Sequence, residues 1–227
     1  MKVYGKNVLN EVLSNPKKIK KLYMTSNMKD ERIMKSIREN KIQYESVSHE
    51  TMNKMVKGNH QGIMAIVDDF NYTDYKSMYN EKLIVVLDHL EDPHNFGAII
   101  RTCEAAGVKS IIIPKDRSVD VNETVMKTST GALEYVKIAR VNNLVKTIND
   151  LKDHGFFVYG AEADGVSSKT CDYSEKVVLV VGSEGFGLSR LVRENCDEIV
   201  SLPMKGNVNS LNASVATAIL IYDIAFR

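Results

Sequence analysis

The 227-residue sequence has no tryptophan, four prolines and three cysteines. The first two shortages exclude nothing; the third excludes more. Cys103, Cys171 and Cys196 stand far apart and form no CxxC pair. An odd count without a leader sequence reads as reduced thiols in a cytosolic protein. The cysteines and the five histidines (His49, His60, His89, His94, His154) fall into no ligand spacing, so no metal is expected. There is no GxSxG elbow, which removes Ser-His-Asp hydrolysis of that kind. No apolar run approaches the roughly 20 residues that span a bilayer, and Met1-Lys-Val-Tyr-Gly-Lys6 has no apolar leader core. The expectation is a soluble, cytoplasmic protein with no membrane partner.

Apolar residues make up 44% of the chain and charged residues 26%, the balance of an ordinary globular protein. The net charge of +1 conceals an asymmetry. Residues 1–68 carry 13 Lys and Arg against 7 Asp and Glu, a net of +6, while residues 69–227 carry 17 against 22, a net of −5. A basic first third suggests contact with a polyanion. A solvated lysine-rich surface accounts for the same totals.

Apolar spacing places a first helix over residues 5–14 (Val8, Leu9, Val12, Leu13), stopped by Asn15-Pro16. Lysines 17, 18, 20 and 21 surround Ile19 before a strand at Leu22–Met24. A helix around Ile33 and Ile37, an alternating strand over residues 42–47 and a short helix capped by Ser48 follow. The loop Gly58-Asn-His60-Gln-Gly62 leads to a strand at 63–67. This αβαβαβ order predicts a small α/β domain over 1–67, marginal in size, and a linker over 68–80. From 81 to 227 buried strands such as Leu83–Leu87 and Val177–Val181 alternate with helices, which predicts a parallel sheet covered on both faces. The last helix is apolar on two stripes: Leu211, Val215, Ile219, Tyr222 and Phe226 on one, Ala213, Ala216, Leu220 and Ile224 on the other.

Ligands of open α/β sheets bind beyond the carboxyl ends of the strands, and three strand ends here are rich in polar residues or glycine. The first is Asp88–Thr102, with Asn95 as a natural helix cap, Gly97 allowing close approach and Arg101 leaning back toward the helix start. The second, Gly182-Ser-Glu184-Gly185-Phe-Gly187, has its glycines in the order GxxGxG. It is neither the dinucleotide fingerprint GxGxxG nor a phosphate loop ending in Gly-Lys-Ser/Thr. The third is Leu202-Pro-Met204-Lys-Gly206-Asn-Val-Asn-Ser210-Leu211-Asn212-Ala-Ser214-Val-Ala216, in which Ser210 or Asn209 is placed to cap the last helix.

In this order the three segments resemble the SpoU (TrmH) branch of the knotted SPOUT methyltransferases. Its motif NxGxxxR stands as Asn95, Gly97 and Arg101, and GxExxG as Gly182, Glu184 and Gly187. The third motif stands as Leu202-Pro203-Met204, Gly206, Ser210-Leu211-Asn212, Ser214 and Ala216, and a shared SxGA as Ser129–Ala132. Residues 1–67 are similar to the ribosomal-protein-like RNA-binding domain of RlmB-like members. The resemblance implies a deep trefoil knot, a homodimer, and methyl transfer from S-adenosylmethionine to a ribose 2′-hydroxyl of RNA. A guanosine of large-subunit ribosomal RNA is the favoured target. It implies Arg101, Asn95, Glu184 and Asn212 as catalytic residues, and Gly182, Ser183, Leu202, Met204, Ser210 and Leu211 around the cofactor. The basic cluster Lys17, Lys18, Lys20 and Lys21, with Lys2 and Lys6, is expected to hold RNA.

Two chemistries for Arg101 stay open. Either its surroundings make it the base, or it remains charged and stabilises the developing alkoxide while water or Glu184 takes the proton. Two other functions compete: the same chemistry on transfer RNA, and a non-catalytic RNA-binding module.

Overall fold

The computed structural model describes residues 1–13, 16–208 and 210–227, with Lys17 described in its main chain alone. The chain separates into two compact units, one of Met1–Asn71 with Val121–Gly131 and one of Tyr72–Asp120 with Ala132–Arg227.

The first unit holds β1 (Lys2–Tyr4), α1 (Lys6–Val12), β2 (Ile19–Thr25), α2 (Glu31–Glu39), β3 (Glu45–Val47), α3 (His49–Met55) and β4 (Ile63–Val67). The sheet order is β1-β4-β2-β3, with β4 antiparallel to β1 and β2, and β2 parallel to β3. Val8, Leu9 and Val12 of α1 and Ile33 and Ile37 of α2 pack with Leu22, Met24, Ile63 and Ala65 of the sheet. Ser48 caps α3 by accepting the Thr51 N–H, as its position predicts. The sequence reading misses β1, whose three residues are too few for an alternation to register.

The lysine cluster is less uniform than the sequence predicts. Lys18 closes a 3-10 turn over Pro16–Lys18. Lys20 and Lys21 lie in β2, which therefore starts earlier than Leu22, at a register shift against β4. Lys18, Lys20 and Lys21 are exposed, but Lys20 Nζ is 2.8 Å from Asp68. That carboxylate, by hydrogen bond and charge, holds the ammonium above its ordinary range. The Lys17 side chain, Ser14 and Asn15 lie outside the described residues.

The rest of the chain forms β5 (Leu83–Asp88), α4 (Pro93–Ala105), β6 (Ser110–Pro114), α5 (Glu123–Ser129), β7 (Lys137–Val141), α6 (Leu144–Asp153), β8 (Phe157–Ser167), β9 (Val177–Gly182), α7 (Arg190–Glu194), β10 (Glu198–Ser201) and α8 (Ala213–Ala225). All of these strands pair in parallel, in the order β10-β8-β9-β5-β6-β7. Every residue of β5 and β9 is buried, as their unbroken apolar runs require. Leu144, Ile148 and Leu151 of α6 and Val192 of α7 pack on Ile84, Val86, Val178 and Val180. On the other side α8 packs against α4 and β9. Each fully buried aliphatic side chain of this kind contributes about 1.5–3 kcal/mol.

Three details depart from the sequence reading. Helix α5 falls in the first unit, where Met126 packs on the α1–α2 core. The expected linker carries a 3-10 turn over Tyr75–Met78, and Thr73 N–H donates to the Ile138 carbonyl at 2.8 Å. Strand β8 runs far past Tyr159: Gly160 and Val166 lie opposite consecutive residues of β10 while Ala161 still pairs with Val181 of β9, so residues 162–165 form a bulge.

Candidate functional site

The carboxyl ends of β5, β9 and β10 lead into the three segments singled out from the sequence. Asp88, the last residue of β5, lies beside Gly182, the last residue of β9. Helix α4 begins earlier than its apolar spacing suggests. Asp92 is its cap, accepting the His94 N–H at 2.9 Å, and Pro93 occupies the first helical position, where a missing N–H is harmless. The predicted cap, Asn95, is therefore inside the first turn and buried at 6% exposure. With its backbone already helical, its side chain is free for another task.

That task joins the three segments. Asn95 Nδ2 donates to Glu184 Oε1 at 2.8 Å. Asn212 Nδ2 donates to the same oxygen at 2.7 Å and to Asn95 Oδ1 at 3.1 Å. The Ala213 N–H completes the set at 3.4 Å. Asn212 is also the cap of α8: its Oδ1 accepts from the N–H groups of Ser214 and Val215 and from the Ser214 hydroxyl. This corrects the expected cap at Ser210 or Asn209; Ser210 does not cap the helix, and Asn209 lies outside the described residues. A carboxylate that accepts several N–H bonds on one oxygen is a strong, directional clamp.

Arg101 lies on α4 two turns beyond Asn95, exposed, and makes no hydrogen bond or ion pair among the described residues. A charged fork left open beside a clamp of amides suits an anionic or ribose-phosphate ligand.

The loop after β9 is closed on itself. Ser183 and Gly187 exchange main-chain hydrogen bonds at 3.1 and 3.0 Å. A Cβ on Gly182 would stand 2.1 Å from the Gly187 carbonyl, so no larger residue fits. Two carboxylates brace this loop, and sequence reasoning missed both. Asp88 Oδ2 accepts the Ser189 N–H at 2.6 Å, and its other oxygen meets His89 Nδ1 at 2.5 Å. Glu162, in the β8 bulge, accepts the Leu188 N–H at 3.0 Å and pairs with Arg193. A polar residue ending an otherwise apolar strand was the available signal for Asp88; Glu162 carries none.

The loop after β10 is different. Its main chain makes no hydrogen bond among the described residues from 202 to 211, and Met204 and Leu211 are exposed at 41% and 39%. Polar main-chain groups need a partner, whether water or ligand. Leu202 is half-buried and Ser210 exposed. Among the described residues no cluster of His, Cys, Asp and Glu could hold a metal, and no helix is long and apolar enough to cross a membrane.

Residues 82–222 match the SpoU rRNA Methylase family model, and residues 2–73 match the model for RNA 2′-O ribose methyltransferase substrate binding. The chain is 40% identical over 233 residues to the Bacillus subtilis protein named "Putative TrmH family tRNA/rRNA methyltransferase YacO", covering 98% of this chain and 94% of that protein. The crystal structure of an A. aeolicus TrmH/SpoU tRNA modifying enzyme covers 65% of this chain and 75% of its own, at 34% identity and a TM-score of 0.58. An AdoMet-bound rRNA methyltransferase from Sinorhizobium meliloti shares the fold over 98% of this chain and 85% of its own, at 24% identity and a TM-score of 0.81.

Proposed function

The chain belongs to the SpoU rRNA methylase family, and from that premise we propose that it methylates the ribose 2′-hydroxyl of a guanosine in large-subunit ribosomal RNA. The observation that carries the reading is the joining of Asn95, Glu184 and Asn212, one from each of the three motif segments, into a single hydrogen-bonded node. A non-catalytic RNA-binding module has no use for such a node. Ribosomal RNA is favoured because a substrate-binding unit precedes the methylase part, whereas the A. aeolicus tRNA modifying enzyme covers only 65% of the chain.

The residues present fit S-adenosylmethionine, which when bound supplies the methyl group from its sulfonium. The main chain of 202–208 and 210–211, without a partner among the described residues, offers donors and acceptors, and Met204 and Leu211 offer apolar cover. Gly182 and Ser183 form the floor, where the absence of a Cβ at Gly182 keeps the loop close. Leu202 and Ser210 complete the set. Asn95 and Asn212 hold the ribose end of the site, oriented by Glu184. Because Glu184 Oε1 accepts three N–H groups, its role is to position. Arg101 stabilises the charge developing on the 2′-oxygen, and the proton of the 2′-hydroxyl passes to water.

Lys18, Lys20 and Lys21 of residues 1–67 supply non-specific RNA affinity together with Lys17, Lys2 and Lys6. Residues 68–80 serve as the linker and 81–227 as the methyltransferase domain. The exposed stripe Val215, Ile219, Tyr222 and Phe226 on α8 is the homodimer surface, since such a patch on a lone subunit is an interaction site. The last strand lies beyond β8 while α8 returns to α4 and β9, which supports a trefoil knot. The cytoplasm is the compartment in which this substrate occurs.

The test is incorporation of tritiated methyl from S-adenosylmethionine into isolated large-subunit RNA and into bulk transfer RNA. Label in the ribosomal RNA alone is expected. Label in transfer RNA alone moves the substrate, and label in neither rejects the enzyme reading.

A further inference from the structure

The loop Gly58-Asn-His60-Gln-Gly62 has no part in the site above, yet it lines a cavity of about 360 Å³ within the first unit. Its walls include Asn27, Met28, His49, Asn53, Asn59 and Gln61. That volume is at the small end of ligand pockets, roughly 300–1,000 Å³. No lysine, arginine or carboxylate lines it, so neither a phosphate nor a cation is its occupant.

The polar groups of this cavity are fixed in one sense by a relay. Gly62 N–H donates to His60 Nδ1 at 3.0 Å, so His60 carries its proton on Nε2 and donates it to Asn53 Oδ1 at 2.9 Å. Asn53 then presents its amide nitrogen to His49 Nδ1 at 3.1 Å. His49 in turn must bear its own proton on Nε2, where it has no partner among the described residues. His60 is buried at 3% exposure, and burial, with His49 beside it, holds its imidazole below the ordinary range. The two rings lie 4.8 Å apart. The backbone is shaped for this loop. Gln61 has φ of 51°, and a Cβ on Gly62 would stand 2.7 Å from Thr25 Oγ1.

We propose that this cavity receives one unstacked nucleotide of the RNA, its base stacked on the exposed His49 ring and its edge read by Asn59 and Gln61. An aromatic face, amides that donate and accept, and a small volume lined by no carboxylate or lysine are what a splayed base requires. The lysines that flank it in sequence, Lys54 and Lys57, are exposed and suit the adjoining phosphates. The proposal rests on the RNA-methyltransferase reading and adds a base-reading point away from the methyl-transfer site.

The experiment uses the full chain with fluorescein-labelled decamers of A, C, G and U and an RNA duplex of equal length, read by anisotropy. His49→Ala is expected to weaken at least one single-stranded decamer about tenfold, the size of one lost base stack, with the duplex within twofold. His49→Phe, which keeps a ring, restores the affinity. Equal loss on duplex and single strand, or no loss in His49→Ala, overturns the pocket while leaving the enzyme reading intact. Failure of the wild-type protein both to bind RNA and to methylate it overturns that reading and the pocket with it. Tight binding of an unlabelled tryptic peptide pool in competition with the decamers, with RNA affinity unchanged by His49→Ala, would make the occupant protein.

Discussion

Asn95 and Asn212 are 117 residues apart in sequence and hydrogen-bonded to one another at 3.1 Å, and both donate to one oxygen of Glu184. The node makes the positions of α4, the β9 loop and α8 interdependent, so that a change at any member moves the other two.

Asn212→Ala removes a helix cap worth about 1 kcal/mol and leaves Glu184 and Asn95 short of a partner, worth about 1 kcal/mol more. At roughly 2–4 °C per kcal/mol for a chain of this length, calorimetry should show Tm lower by about 4–8 °C. Methyl transfer should fall about 100-fold, the cost of a small misplacement. Glu184→Ala should match it in activity. Unchanged activity in both variants would show the node to be structural only.

Arg101 has no partner among the described residues, so Arg101→Ala should leave Tm unchanged while lowering methyl transfer at least about 100-fold. S-adenosylmethionine affinity by calorimetric titration should stay within severalfold. Arg101→Lys retains charge but loses the planar fork, and an intermediate rate is expected. A large loss of cofactor affinity would mean that Arg101 acts on the cofactor.

Gly182→Ala places a methyl group 2.1 Å from the Gly187 carbonyl, and overpacking of this kind costs about 1–3 kcal/mol. The loop must yield. A rise in the dissociation constant for S-adenosylmethionine, with circular dichroism intact, is the expected outcome. A variant that binds normally would place the cofactor elsewhere.

The His60 imidazole is held below its ordinary 6.5 by burial and by His49. As pH falls through about 6.5 the unfolded chain takes up the proton first, so the stability that neutral His60 contributes is complete above that pH and drains away below it. Thermal unfolding between pH 5 and 8 should show wild-type and His60→Gln Tm values converging as pH drops. Divergence would reverse the sign assigned to this group.

Ile219→Glu puts a charge in the middle of the exposed α8 stripe. Light scattering at micromolar concentration should report a dimer for the wild type and a folded monomer for the variant. A wild-type monomer would remove the dimer from the proposed function.

Much of this was legible in the sequence. The unbroken apolar runs at Leu83–Leu87 and Val177–Val181 fix the centre of the sheet, and the two stripes of α8 divide as one buried face and one exposed face. Asn95, Glu184 and Asn212 are visible as motif residues. Their mutual bonding is not, because a helix cap and an interior position look alike until Asp92-Pro93 is seen to start the helix. The carboxylate braces are invisible for a similar reason: Asp88 reaches a loop 101 residues away. Helix α5 reads locally as part of the parallel sheet's own unit, and only the packing of Met126 on the α1–α2 core assigns it elsewhere.

The placement of Asn212 has a further consequence during synthesis. A nascent chain that has emerged through α7 holds two of the three members of the node and all of the first unit, with Asn95 and Glu184 able to bond to each other but not yet to the Asn212 amide. Docking of α8 is a late, long-range event of the kind that folds slowly. The first unit is therefore complete in sequence before the node is, and the node closes only once α8 is in place.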